Sequence, residues 1–90
     1  MKIETIGQLN MVFTQARDEK KDICVEITIP GQEETEYIIN KNTSLGNKLA
    51  YYEKAYGENL VYCMNDKIRI ISAFPISFGI SKEDIINGDK

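Results

Sequence analysis

Apolar positions follow two periods along this chain. Ile6, Leu9, Val12, Phe13 and Ala16 recur three and four apart, as one face of a helix does. Thr5-Ile-Gly-Gln8 precedes them and fits a capping box. A charged stretch over 17–22 ends this helix. The period then changes to two. Ile23, Val25, Ile27 and Ile29 alternate with Cys24, Glu26 and Thr28, as in a half-buried strand. Pro30-Gly31 turns the chain, and 35–40 returns as a second strand with Tyr37 and Ile39 on its apolar face. A loop over 30–34 sets Tyr37 opposite Ile27 and Ile39 opposite Val25. A loop one residue shorter would set Glu36 opposite Ile27 and bury a lone carboxylate, so the longer loop is expected.

The helical period returns at Leu45, Leu49, Tyr52 and Tyr56, with Ala55 beside them. Ser44 is placed to cap this second helix, and Gly57 to end it in a left-handed conformation. A second hairpin pairs 60–64 with 67–74 across Asn65-Asp66, both tolerant of positive φ. Its register turns Val61, Cys63, Ile68 and Ile70 to the core. Leu60, Tyr62, Met64, Lys67, Arg69 and Ile71 take the outer face, with Tyr62 opposite Arg69.

The expected fold is α+β, in the order α-β-β-α-β-β. Two helices pack on one face of a four-stranded, mostly antiparallel sheet. Val25, Ile27, Leu49, Tyr52, Ile68 and Ile70 belong to its core. Residues 1–75 form a single domain and 76–90 a tail. The tail holds Ile76, Phe78, Ile80, Ile85 and Ile86, and Ser81-Lys-Glu-Asp84 marks the start of a short helix. It either folds back on the sheet or docks on a partner.

Composition narrows the chemistry. The chain has 90 residues, enough for one small core. No apolar run approaches the ~20 residues that span a bilayer, and the N-terminus lacks the features of a signal peptide, so a cytoplasmic protein is expected. The two cysteines, Cys24 and Cys63, then read as buried, reduced thiols. Without histidine the chain lacks the commonest general base and the usual zinc ligands. It has no glycine-rich phosphate loop. Neither a metal, a cofactor nor an enzymatic activity is expected. The net charge of −3 argues against binding to nucleic-acid phosphates.

Two groups of residues are candidates for binding a partner. Glu33, Glu34 and Glu36 crowd the first hairpin. They would steer a basic protein, imitate a run of phosphates, or simply blunt a strand edge. Tyr51 points away from the apolar stripe of its helix, between Lys48 and Lys54. Tyr62 and Arg69 lie on the outer face of the second hairpin. Exposed aromatic and arginine side chains are frequent anchors in interfaces.

The block Lys48-Leu-Ala-Tyr-Tyr-Glu-Lys-Ala-Tyr-Gly-Glu-Asn-Leu60, followed by Lys67-Ile-Arg-Ile-Ile71, resembles uncharacterised small proteins of phages and prophages of low-GC Gram-positive bacteria. The resemblance implies a phage accessory function in the host cytoplasm, a class that includes small anti-CRISPR-like inhibitors of host defence nucleases. The expectation is a non-catalytic protein, monomeric or homodimeric, that occupies the surface of a host or phage protein. The alternative is a self-associating assembly accessory that uses its apolar tail.

Overall fold

A computed structural model of the chain describes residues 2–77 and 82–87. Helix α1 (Ile6–Asp18) opens on the expected capping box: Gln8 N–H donates to Thr5 Oγ1 at 3.2 Å, and Thr5 N–H donates to Gln8 Oε1 at 3.1 Å. Leu9, Val12, Phe13 and Ala16 are buried along its stripe. The helix ends without glycine. Lys20 takes φ 58°, and the N–H groups of Lys20 and Lys21 bond back to the carbonyls of Arg17 and Ala16 at 3.2 and 2.9 Å. This is the Schellman arrangement, with lysine in the left-handed position.

Three strands form one antiparallel sheet in the order β2-β1-β3: β1 (Asp22–Thr28), β2 (Glu36–Asn40) and β3 (Arg69–Ile76). The chain is thus α+β. β1 lies between the other two, and both its faces lose solvent. Ile23, Val25 and Ile27 join the main core, while Asp22 and Cys24 are fully buried on the opposite face. β3 carries a bulge: Glu26 pairs with Ser72 and Ile27 with Ile70, leaving Ile71 unopposed on β1. The Ile71 carbonyl accepts the Ile3 N–H at 3.2 Å.

After a 3₁₀ turn (Asn42–Ser44) comes α2 (Leu45–Ala55), and a short helix α3 (Lys82–Asn87) lies against β2. One buried cluster unites Leu9, Val12, Phe13 and Ala16 of α1 with Leu45, Tyr52 and Tyr56, with the β1 face of Ile23, Val25 and Ile27, and with Leu60, Ile70 and Ala73.

Several expectations are corrected. Among the described residues the sheet has three strands. Residues 60–64 reach β3 through a single bridge, Val61 to Arg69. Two successive turns replace the tight hairpin: Asn65 N–H bonds to the Tyr62 carbonyl at 3.3 Å and Ile68 N–H to the Asn65 carbonyl at 3.1 Å. The Asn65 side chain accepts the Lys67 N–H, so it closes a turn within the loop and does not pair across it. The register shifts by one, which exchanges Leu60 and Cys63, while Ile70 stays buried and Met64, Lys67 and Arg69 stay exposed as expected. Leu60 is buried and Cys63 is exposed, while Ile68 is half-buried.

The first hairpin also slips by one. Ile27 pairs with Glu36, Val25 with Ile38 and Glu26 with Tyr37. The argument against this register assumed a buried carboxylate. Glu36 opens an edge strand and stays half-exposed, so that cost does not arise.

Ser44 makes no side-chain cap; its hydroxyl donates to the Lys41 carbonyl at 3.3 Å. Leu49 is half-buried beside the core. Pro75 and Ile76 lie within β3, opposite Ile23 and Asp22, so the strand continues where a tail was expected. Phe78 and Ile80 fall outside the described residues.

Candidate functional site

A chain of aromatic rings leads from the core to the surface. Phe13 meets Tyr52 edge-on at 5.8 Å between centroids, and Tyr52 meets Tyr51 at 5.4 Å and Tyr56 at 5.8 Å. Tyr56 in turn meets Tyr62 at 5.2 Å. The helical period of α2 buries Tyr52 and turns its neighbour Tyr51 outward. Tyr52 is anchored at its polar end: its hydroxyl donates to Asn40 Oδ1 at 3.1 Å, and Asn40 Nδ2 donates to the carbonyls of Ile38 and Ile23 at 3.2 and 3.4 Å.

The loop over 57–64 folds back on the last turn of α2. Gly57 N–H donates to the Val61 carbonyl and Cys63 N–H to the Ala55 carbonyl, each at 2.8 Å. Leu60 adopts φ 64° to allow this path and is buried in return. Tyr62 is thereby laid beside Tyr56. Tyr51, Lys54, Ala55, Tyr62, Cys63 and Met64 line one surface groove. Met64 is 82% exposed and Tyr51 53%.

Candidate residues that the sequence offered separately are therefore partly united. Tyr51 and Tyr62 share the groove. Arg69 does not line it: it pairs with Val61 and Thr28 at the start of β3, and Tyr62 packs at a tilt against Tyr56 where Arg69 was expected. Glu33, Glu34 and Glu36 line another groove, with Thr35, Tyr37, Ile85 and Ile86 of α3.

Two phenols behind the aromatic groove are shifted. Burial, followed by the neighbouring Tyr51 and Tyr52 hydroxyls, pushes the Tyr56 phenol up to about 12. Burial also raises Tyr52, against the opposing effect of its bond to Asn40. Both phenols stay neutral at physiological pH and serve as ring surface and hydrogen-bond donors. Next to the neutral rings, Lys54 supplies a cation. The groove can receive an apolar or aromatic side chain and place an acidic one at Lys54.

Sequence reasoning missed two polar constellations. Asp22 was read as part of a charged loop, yet it is 0% exposed, accepting the Asn42 N–H at 2.9 Å and lying 3.5 Å from Lys41 Nζ. Glu26 ties the sheet together by accepting the hydroxyls of Thr35 and of Ser72, the latter at 2.9 Å. Burial and the Glu26 charge raise the phenol of Tyr37. The alternation around Glu26 was visible, but its partners depend on which strands neighbour β1.

Cys24, buried, and Cys63, exposed, form no disulfide. Among the described residues no helix is long and apolar enough to cross a membrane, and no group of three or more acidic or cysteine side chains is placed to hold a metal ion. No protein-family model, curated protein or solved structure matches the chain.

Proposed function

We propose that this chain is a small non-catalytic binding protein whose contact face is the groove of Tyr51, Lys54, Tyr62 and Met64. The observation that carries the reading is the gathering of Tyr51 and Lys54 of α2 with Tyr62 and the exposed Met64 of the loop pinned to the end of that helix. Tyrosine and methionine are enriched in interfaces, and methionine adapts its shape to a partner. The rings are backed by the core, so little side-chain freedom remains to be lost on binding.

The resemblance to phage proteins supplies the setting. The partner is a host protein in the cytoplasm, and inhibition of a defence nuclease is the most concrete outcome. The acidic hairpin of Glu33, Glu34 and Glu36 favours the approach of a basic partner from a distance.

Affinity capture from host lysate, with mass-spectrometric identification, supplies the partner. Binding of the purified partner is then titrated against variants. Tyr51→Ala and Met64→Ala should each weaken binding about tenfold or more, as loss of an interface anchor does. Unchanged affinity in both would place the contact elsewhere.

A further inference from the structure

The outward side of α2 carries no negative charge. Lys48, Tyr51 and Lys54 follow one another at intervals of three, so they form one row along the helix, and all three are exposed. The one carboxylate of α2, Glu53, belongs to the side facing α1, where Asn10 Nδ2 donates to its Oε2 at 3.3 Å. Among the described residues the ion pairs are Lys21 with Glu19 and Lys41 with Asp22, so no carboxylate there matches Lys48 or Lys54. In a chain of 14 acidic and 11 basic residues this row runs against the overall charge.

The row borders the aromatic groove. At Ala55, whose carbonyl holds the Cys63 N–H, the helix supplies only a methyl group to the groove. Tyr51 and Lys54 line it from the helix, and Tyr62, Cys63 and Met64 line it from the loop. The Tyr51 ring is held by the edge of Tyr52, and Tyr62 by Tyr56, so the apolar surface is set before a ligand arrives.

We propose that this groove takes a linear segment of the partner in which an apolar or aromatic side chain is flanked by aspartate or glutamate. The proposal rests on the binding reading of the groove and adds the chemistry of its ligand. The apolar side chain fills the space over Ala55 between Tyr51 and Met64. One carboxylate meets Lys54 and another meets Lys48. The two lysines stand about 9 Å apart along the helix axis, at about 1.5 Å per residue. An extended segment rises about 3.3 Å per residue, so acidic residues about three apart span them.

Single-stranded nucleic acid also joins flat rings to anions, but it is held by cations that track many phosphates. Two lysines in a chain of net charge −3 fall short of that. The acidic hairpin lines a different groove, so attraction of a basic partner and recognition of its acidic segment fall to different surfaces.

A displayed library of short random peptides, sorted for binding to the labelled full chain, tests the proposal without a known partner. Enriched sequences should carry an aromatic residue or leucine flanked by aspartate or glutamate. An enriched peptide, followed by fluorescence anisotropy, should lose affinity as salt rises. It should bind about tenfold or more weakly when its acids become amides, or when Lys54→Glu reverses the charge facing them. Lys48→Glu should act in the same direction. Both lysines are exposed, and circular dichroism checks that each variant keeps its fold. Enrichment of basic or uncharged sequences would overturn the acidic requirement, and enrichment of none would overturn the linear segment. In both cases the binding reading stands if Tyr51→Ala still weakens binding of the purified host partner. Peptides that bind Tyr51→Ala as tightly as the wild type would overturn both. Oligothymidylate that binds more tightly than any peptide, and is released by Lys54→Glu, would assign the groove to nucleic acid and overturn the proposal.

Discussion

Asp22 and Tyr52 show how single polar atoms hold this small core in place. Asp22 receives the Asn42 N–H at the point where β2 gives way to the 3₁₀ turn. Asp22→Ala strands that donor and should cost about 1–3 kcal/mol, measured by denaturant unfolding. Asp22→Asn retains an acceptor and should cost less. Tyr52→Phe leaves Asn40 Oδ1 without its donor and should cost a similar about 1–3 kcal/mol. An opposite change is expected at Lys20. Its φ of 58° is costly for a side chain with a Cβ, so Lys20→Gly should stabilise the fold by about 1 kcal/mol.

Elements with a local signal were legible. Thr5 and Gln8 announce the start of α1, and the stripe from Leu9 to Ala16 fixes its buried face. The alternation around Val25 and Ile27 reveals β1. Register was not legible, because it depends on what lies beside a strand. Glu36 escapes burial only because β2 is an edge, and Asn65 closes a turn only because the loop before it bonds back to α2. The loop's buried anchor is Leu60, at a left-handed φ that no glycine advertises. Leu60→Ala should cost about 2–5 kcal/mol, within the range for a buried leucine. Leu49→Ala, at a half-buried position, should cost less than Leu60→Ala in the same assay. The candidate site was legible as residue types, and Tyr51 as an outward ring. That Tyr51 and Tyr62 share a groove follows from the loop path, which the sequence does not encode in any short pattern.

At the scale of the molecule, the clustered tyrosines tie stability to alkaline pH. The Tyr56 phenol is raised from 10.0 to about 12 in the fold, so the folded state holds its proton where the unfolded chain releases it. Its contribution is complete below about 10 and is lost as pH rises toward about 12. Tyr52 acts in the same direction. The melting temperature should fall through that window, and Tyr56→Phe should reduce the fall. A pH-independent melting temperature from 10 to 12 would show that these phenols titrate as they do in the unfolded chain.

The binding reading makes a spatial claim, and site-specific photo-cross-linking addresses it most directly. A photoreactive amino acid replaces Met64 in one variant and Glu34 in another, both at exposed positions. On irradiation in host lysate, position 64 should cross-link to one host protein, and adding Tyr51→Ala to that variant should abolish the product. Cross-linking of that protein from position 34 alone, or persistence of the position 64 product without Tyr51, would contradict the account.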